Sequence, residues 1–254
     1  VLTLYSYDDN ANALDLPNVL RQCIELIALF PVLAVYGYQA YNHYYKKESL
    51  FIHKPNRHLS TAENILLLLR PDEKYTELEA KILDLALVLH AEHGGGNNST
   101  FTTRVLTTAD TDPYSAYAAA IGSLKGRKHG GANHQVRAMQ REIKENVSDW
   151  ENDGEVADYL AKIVRKEAYD RSGLVYGMGH AVYTMSDPRA VILKKFAAKM
   201  AEGTEYEAEF RLLETIERLS PEVILREKGT KKDMCANVDM YSGFVYTMLN
   251  IPED

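Results

Sequence analysis

The spacing of apolar residues constrains this chain most, because they recur every three or four residues along nearly its whole length. Val19, Leu20, Cys23 and Ile24 begin the pattern, and hardly any later segment alternates with period two. Such spacing places the apolar side chains on one face of an α-helix. We therefore predict an all-α fold of at least ten helices joined by short turns.

Several helix starts are marked by local capping signals. Ser60-Thr61-Ala62-Glu63 and Thr76-Glu77-Leu78-Glu79 are capping boxes, in which a hydroxyl and a carboxylate satisfy free backbone N–H groups reciprocally. Asp112-Pro113 and Asp187-Pro188 combine a capping aspartate with proline at the first helical position. These four sites predict four helix starts.

Two prolines are predicted to interrupt helices, since proline lacks the N–H group that a helix interior needs. Pro31 is expected to end or kink a helix that begins near Pro17, with a second helix running to about Tyr45. Pro221 is expected to start a short helix after a long one over residues 204–219.

Composition limits the class of protein. With 254 residues, 46% of them hydrophobic, the chain can bury one large core or two smaller ones. The net charge of -7 and the pI of about 5.7 leave no basic footprint for nucleic acid. Cys23 and Cys235 are too few for a disulfide framework and too far apart for a metal knuckle, so a reducing compartment is expected.

No membrane segment or signal peptide is predicted. The longest apolar run, over residues 24–36, contains Glu25 and Pro31 and is short for a bilayer span. The N-terminus shows no charged segment followed by an apolar one. We therefore expect a soluble cytoplasmic protein.

His129 is the first residue with chemical potential. It lies between two helical patterns and is followed by Gly130 and Gly131, which let the backbone approach a ligand closely. The N-terminus of the next helix would favour a neutral imidazole there, which can donate one hydrogen bond to a developing oxyanion. A simple helix-capping histidine is an equally good interpretation of this stretch.

His180 lies in a second glycine-bordered turn, between Gly179 and the helix start at Asp187. Arg189 follows in the first turn of that helix, where a positive charge is unfavourable to the helix dipole. This placement favours a role in binding a carboxylate, although a surface arginine remains the alternative.

Asp239 follows Asn237 where a turn becomes a helix. Aspartate at such a position usually caps the helix, so a chemical role requires it to share a pocket with the histidines. His90 and His93 lie three apart and suggest a metal pair, but a third ligand is not obvious. We predict no metal site.

Four motifs together resemble the citrate synthase family, in that family's order and at similar spacings. They are His90-Ala-Glu-His93-Gly-Gly-Gly-Asn97-Asn-Ser99, His129-Gly-Gly-Ala-Asn133, Gly179-His180-Ala-Val-Tyr183 with Asp187-Pro-Arg189, and Asn237-Val-Asp239 with Ser242-Gly243. The resemblance extends from about residue 10 to the end. It implies an almost entirely helical, two-domain homodimer that closes over its substrates and condenses acetyl-CoA with oxaloacetate and water to citrate and CoA.

The resemblance also implies a division of the chain and three catalytic roles. Residues 1–130 would form an incomplete large domain, residues 131–249 the small domain, and residues 250–254 the start of a return to the large domain. Asp239 would take a proton from the acetyl methyl group. His129 would donate a hydrogen bond to the thioester oxygen, and His180 would polarise the ketone of oxaloacetate and protonate the new alkoxide.

The remaining site residues are carried over in the same way. His93 and Arg189 would hold oxaloacetate, and acetyl-CoA would be a co-substrate rather than a permanently bound cofactor. Further substrate-binding positions are Asn97, Ser99, Asn133 and Asn237. The stretch that would meet the CoA adenine is Leu174, Val175, Tyr176, Gly177, Met178 and Gly179.

Three departures from the family pattern qualify these expectations. Thr184 stands where some members carry a basic residue near the CoA phosphates, and Gly94 replaces a commonly acidic position. The chain ends fifteen residues after Asp239, whereas the family continues with further helices and arginines. We expect a truncated chain that by itself binds oxaloacetate poorly and turns over little or not at all.

Three alternative functions remain. A 2-methylcitrate synthase would use the same groups with propionyl-CoA, since one methylene changes specificity by only about 1–3 kcal/mol. A helical dimerisation scaffold without activity is the alternative from a different class. A zinc hydrolase built on His90 and His93 is the third.

Overall fold

The computed structural model describes residues 1–91, 95–126, 129–180, 183, 185–229 and 234–253. Within these residues the regular structure is helical, with no strand beyond an isolated bridge, which confirms the all-α prediction. The ten α-helices are α1 Leu16–Tyr41, α2 Thr61–Leu69, α3 Glu77–His90, α4 Asn98–Thr107, α5 Pro113–Leu124, α6 Ala132–Asn146, α7 Asp153–Val164, α8 Pro188–Ala201, α9 Glu207–Lys228 and α10 Asp239–Met248.

The chain divides into two compact units, Val1–His129 and Gly130–Asp254. The first holds α1 to α5 and the second holds α6 to α10. The assignment of these units to a large and a small domain stays a prediction.

The first unit is built from helix pairs. Helix α1 packs against α2, α2 against α3, and α4 against α5. Leu66, Ile82 and Ala86 are fully buried in this unit. Both predicted capping boxes are confirmed: the Ser60 hydroxyl accepts from the Glu63 N–H at 3.2 Å, and the same reciprocal bonds join Thr76 and Glu79.

Pro31 lies inside α1 and Pro221 inside α9, so the predictions that Pro31 ends a helix and that Pro221 starts one are wrong, and a kink at Pro31 stays a prediction. A proline in a helix costs one hydrogen bond and about 3 kcal/mol, which burial of a helix face can outweigh. In α9 that face includes Leu212 and Ile216, both fully buried. In α1 the carbonyl left without a donor belongs to Ile27, whose residue is 68% exposed and therefore near water.

Because Pro31 does not interrupt it, the N-terminal helix is longer than the sequence predicted. The continuous stretch Leu16–Lys46 has 31 residues, and only 17% of its most apolar part is buried. By length and composition alone it could cross a membrane, so the expectation that this segment is too short is wrong. A helix whose apolar face is covered by other protein can have the same length and the same apolar composition.

The second unit is organised around α10, which packs against α6, α8 and α9. Met240, Tyr241 and Phe244 of this helix are completely buried. The buried Gln140 side chain of α6 donates to the Met240 carbonyl at 3.1 Å. Helix α10 is therefore held on several sides, and its first residue is Asp239.

Candidate active site

His129 lies in the first unit against the start of α4. Its Nε2 is 2.9 Å from the Ser99 hydroxyl and 3.3 Å from the Ser99 backbone nitrogen. The Ser99 hydroxyl is also 2.8 Å from Oδ1 of Asn97, which caps α4 by accepting from the Thr100 N–H at 2.8 Å. One nitrogen of the imidazole is thus fixed by the helix start.

Ser99 and Asn97 thus make contacts at the start of α4, and the substrate-binding roles predicted for them stay predictions. An Asn-x-Ser sequence before a helix indicates a cap. No local signal indicates that Ser99 contacts a histidine 30 residues later, so the sequence interpretation missed this contact.

In the second unit, His180 follows a turn that requires glycine. Gly177 and Gly179 have φ angles of +85° and +87°, in the left-handed region that other residues rarely adopt. The Tyr183 N–H donates to Nδ1 of His180 at 3.1 Å. In the neutral ring the proton therefore lies on Nε2, which makes that nitrogen a donor.

Asp187 holds Arg189 beside this imidazole. Arg189 Nη2 is 2.8 Å from Asp187 Oδ2, and Arg189 Nε is 3.1 Å from Oδ1. Burial raises the pKa of Asp187, but its bonds with the Arg189 guanidinium and N–H lower it more, so this pKa lies below its usual value. The carboxylate in turn raises the pKa of Arg189.

The sequence favours a substrate-binding role for Arg189 over a stabilising one. In the structure this arginine has a stabilising partner, Asp187. Arg189 Nη2 nevertheless lies 3.3 Å from Nε2 of His180. With Nδ1 of His180 accepting, both of these nitrogens are donors. Two donors that converge in this way suit an acceptor oxygen of a carbonyl or carboxylate compound.

Asp239 is the first residue of α10, and the helix-capping position belongs to Val238. The interpretation of Asp239 as a capping residue is therefore wrong. The positive end of α10 stabilises a carboxylate at this position. Its charge reaches Tyr246, whose pKa is raised to about 12 by burial and, secondarily, by Asp239.

A short backbone bridge joins the His180 turn to the segment before α10. Met178 and Ala236 form an isolated antiparallel bridge. The Gly179 N–H donates to the Cys235 carbonyl at 2.7 Å, and the Asn237 N–H donates to the Gly177 carbonyl at 2.9 Å. The turn therefore has a fixed register relative to Asp239.

The other predicted contact residues have varied surroundings. In the stretch predicted to meet CoA, Leu174 is 52% exposed, Val175 is buried, and the Tyr176 hydroxyl donates to Asp170 at 2.7 Å. Asn133 donates to the Ser242 hydroxyl at 2.5 Å and so joins α6 to α10. His93, Gly94 and Thr184 lie outside the described residues.

No cluster of three or more His, Cys, Asp or Glu side chains suited to a metal ion occurs among the residues that the structure describes. His90 is exposed, and its Nδ1 lies 2.7 Å from the Ala86 carbonyl. Because His93 is not described, the zinc alternative stays untested.

The structure thus forms two groups of candidate residues. His129, Ser99 and Asn97 are together in the first unit. His180, Arg189, Asn237 and Asp239 belong to the second.

The whole chain, residues 1–254, matches the family model described as "Citrate synthase, C-terminal domain". A citrate synthase from Synechocystis is 38% identical over 205 residues, which cover 79% of this chain and 46% of that protein.

Two solved structures are also similar. Citrate synthase from Thermotoga maritima has a TM-score of 0.70 and 25% identity, over 95% of this chain and 58% of that one. Citrate synthase from Thermoplasma acidophilum, solved as a ternary complex with carboxymethyl coenzyme A and oxaloacetate, has a TM-score of 0.62 and 27% identity, over 84% of this chain and 50% of that one.

The chain spans about half the length of the curated relatives that it matches. The family model covers every residue of it, and the solved structures share its helical architecture. The chain belongs to the citrate synthase family.

Proposed function

We propose that this chain contributes the acid-base groups of a citrate synthase, which condenses acetyl-CoA with oxaloacetate and water to give citrate and CoA. The observation that carries the proposal is the convergence of His180 Nε2 and Arg189 Nη2, 3.3 Å apart, in the unit where Asp239 begins α10. Oxaloacetate offers these donors a keto oxygen and carboxylates.

The difficult step is removal of a proton from the acetyl methyl group, which is a very weak carbon acid. A carboxylate base succeeds only if the negative charge passing to the thioester oxygen is stabilised as it forms. We assign the base to Asp239 and the hydrogen bond to the thioester oxygen to His129. The enolate carbon then attacks the ketone carbon, and water finally cleaves the thioester to release CoA.

His180 serves the second substrate. Its Nε2–H polarises the ketone and gives its proton to the alkoxide that forms when the carbon–carbon bond is made. Arg189, already oriented by Asp187, would bind a carboxylate of oxaloacetate through the part of its guanidinium that faces His180. His93 keeps its proposed role in the same contact, and Leu174–Gly179 keep theirs toward CoA.

We also propose a homodimer. Its support is the apolar surface of the packed helices α4 and α5 in the first unit. Phe101 is 62% exposed, Val105 48%, Ile121 39% and Leu124 47%, and large apolar side chains left exposed on a packed helix pair are consistent with a protein interface. Sedimentation of the intact gene product and of an Ile121→Glu variant tests this: the variant should sediment as a monomer.

We also propose that the protein is located in the reducing cytoplasm. Both cysteines, Cys23 and Cys235, are free. Alkylation of both thiols in protein taken directly from cells would support it, whereas a thiol protected as a disulfide would contradict it.

The decisive experiment measures thiol release from acetyl-CoA in the presence of oxaloacetate. The intact gene product is compared with its Asp239→Asn variant, and Asp153→Asn serves as a matched control, because Asp153 is an exposed partner of Arg218 in the same unit. We expect Asp239→Asn to lower kcat by about 10²–10⁴-fold, the usual contribution of a general base. The control should retain full activity.

Two outcomes would favour the alternatives. Equal activity of the Asp239→Asn variant, or no release from a folded protein with either acyl-CoA, would favour a non-catalytic scaffold. A kcat/KM for propionyl-CoA above that for acetyl-CoA would favour 2-methylcitrate synthase.

The expectation that these 254 residues alone turn over little or not at all stays a prediction. The same assay on the isolated 254-residue chain tests it, and steady-state citrate formation would contradict it.

A further inference from the structure

We infer that Asn237 is a positioning residue, whose carboxamide fixes Asp239 relative to the turn that carries His180. The kinetic part of this inference rests on the proposed function. Its structural part can be tested without any activity.

The carboxamide has one partner on each side. Its Oδ1 accepts from the Asp239 N–H at 3.0 Å, and its Nδ2 donates to the Gly179 carbonyl at 2.9 Å. Gly179 is the residue directly before His180. One side chain therefore bonds the backbone of Asp239 and the backbone next to His180, although Asn237 and Gly179 lie 58 residues apart in sequence.

The carboxamide extends the backbone bridge. In the part of the chain that the structure describes, Asn237 contributes the last backbone bond of this bridge, to Gly177 at 2.9 Å. Asp239 is two residues further on, inside α10. The Asn237 side chain continues the connection across those two residues.

The residue type matters because two different bonds are made. The capping residue Val238 has no polar side chain, so Oδ1 of Asn237 supplies an acceptor for one free N–H at the start of α10. Serine or aspartate could also supply that acceptor, but ionised aspartate has no donor for the Gly179 carbonyl, and serine would have to make both bonds through one oxygen. Asparagine provides both on one short side chain.

The turn and α10 also approach each other closely. A Cβ at Gly177 would lie 3.0 Å from Met240 Cε and 3.1 Å from Met240 Cα. The first turn of α10 is therefore packed directly against the turn that precedes His180. A misplacement of about 1 Å at a reacting group can cost about 100-fold in rate.

This role differs from the substrate contact that the sequence predicted for Asn237. Loss of a residue that binds substrate equally in the ground and transition states raises KM, whereas loss of a residue that positions a base lowers kcat. The two interpretations therefore predict changes in different constants: KM rises if Asn237 binds substrate, and kcat falls if it positions Asp239.

The first test uses Asn237→Ala and Asn237→Ser in the intact gene product. Alanine removes both bonds, and we expect kcat to fall by about 100-fold with both KM values within about threefold of wild type. Serine keeps an acceptor, so its kcat should lie between those of alanine and wild type. A rise of about tenfold or more in either KM with unchanged kcat would overturn the inference.

Acetyl-CoA deuterated at the acetyl methyl group shows whether proton abstraction is the step that the substitution slows. If Asn237 acts on proton abstraction, the primary isotope effect on kcat should be larger in Asn237→Ala than in wild type. A general loss of stability would not change it. An isotope effect equal to that of wild type, together with a reduced kcat, would contradict the inference.

A double-mutant cycle tests whether Asn237 acts through Asp239. In an Asp239→Asn background, the addition of Asn237→Ala should cost less than about threefold, because the group that it positions is already gone. Losses that multiply independently would overturn the inference.

Hydrogen exchange gives the readout that does not depend on catalysis. Asn237→Ala should accelerate exchange of the backbone N–H of Asp239 and of residues 177–180, and unchanged exchange would overturn the inference. The control is Asn64→Ala in α2: Asn64 bonds the Asn56 N–H at 2.8 Å and the Asn56 carbonyl at 3.0 Å. It should lower stability and leave kcat unchanged. Faster exchange in a protein without citrate synthase activity would refute the proposed function alone.

Discussion

The carboxylate of Asp187 and the guanidinium of Arg189 form a two-point ion pair, with Nη2 2.8 Å from Oδ2 and Nε 3.1 Å from Oδ1. The side chain of Asp187 is completely buried and that of Arg189 is 13% exposed. The pair is local, two residues apart in sequence, yet it decides which way the arginine faces.

The first prediction concerns the pH dependence of this pair. The pKa of Asp187 is lowered in the folded protein, so its contribution to stability is present above the unfolded pKa of about 3.9 and is lost as pH falls through the folded value. Asp187→Asn should cost about 1.5–3 kcal/mol at pH 7, the value of a hydrogen bond to a charged group.

Urea unfolding at pH 7, 5 and 3.5 checks this prediction. The difference between Asp187→Asn and wild type should shrink toward the lowest pH. A difference that grew on acidification would contradict it. Arg189 also loses its orientation in this variant, so the KM for oxaloacetate should rise.

The second prediction compares two helical glycines. A Cβ at Gly243 would lie 2.6 Å from Arg137 Cγ and 2.8 Å from Asn133 Oδ1, whereas a Cβ at Gly122 would meet no atom within 4 Å. Gly243→Ala should therefore cost about 1–3 kcal/mol through overpacking. Gly122→Ala should instead stabilise helix α5 by about 0.5–1 kcal/mol. Thermal unfolding of both variants tests this, and equal shifts in Tm would refute it.

The third prediction concerns the buried Arg137, whose Nη1 donates to Glu209 at 2.9 Å; Lys144 is the second partner of this carboxylate. Burial raises the pKa of Glu209, but Lys144 and Arg137 lower it more, so it stays ionised. Glu209→Met alone removes the nearer carboxylate of a buried guanidinium and leaves it, among the carboxylates that the structure describes, only Glu253, whose Oε1 is 4.0 Å from Nε, so it should cost about 3–5 kcal/mol.

Removal of both partners should be less harmful than removal of one. The Arg137→Met, Glu209→Met double variant replaces the pair by apolar side chains of similar volume, which is often close to neutral. Chemical unfolding of the single and double variants measures the coupling. A double variant less stable than Glu209→Met would contradict the prediction.

The fourth prediction concerns the proton on His129. Its proposed bond to a thioester oxygen requires N–H at Nδ1, so Nε2 must be an acceptor, and the Ser99 backbone N–H donates to it at 3.3 Å. Nitrogen NMR of the intact gene product should show Nε2 unprotonated. Ser99→Ala removes a hydroxyl that donates to Asn97 Oδ1 at 2.8 Å but keeps the backbone N–H that donates to Nε2, so the ring should keep this tautomer.

The opposite tautomer would remove the basis for this role. If Nε2 carries the proton in wild type, it donates to the Ser99 hydroxyl and Nδ1 becomes an acceptor. Thr102→Ala is the control, because Thr102 bonds only within α4, to the Asn98 carbonyl at 2.8 Å. It should change neither the ring signal nor kcat.

The sequence by itself determined the helices and most of their starts. Ser60 with Glu63, and Asp112 with Pro113, act within a single turn, so their effect depends on neighbours that the sequence shows directly. The glycine-bordered turn before His180 was predictable for the same reason, since a left-handed backbone requires a particular residue type. The motif resemblance then placed the catalytic candidates.

Only the tertiary structure decided which helices continue through a proline and which residues each polar side chain contacts. Helix α9 passes Pro221 because its apolar face is buried against other helices, which no local pattern reveals. Asn133 joins α6 to α10, Ser99 contacts a histidine 30 residues away, and Asn237 reaches Gly179 58 residues earlier. Such contacts depend on how distant segments pack, because a hydrogen bond needs atoms within about 3 Å, and sequence separation does not encode that distance.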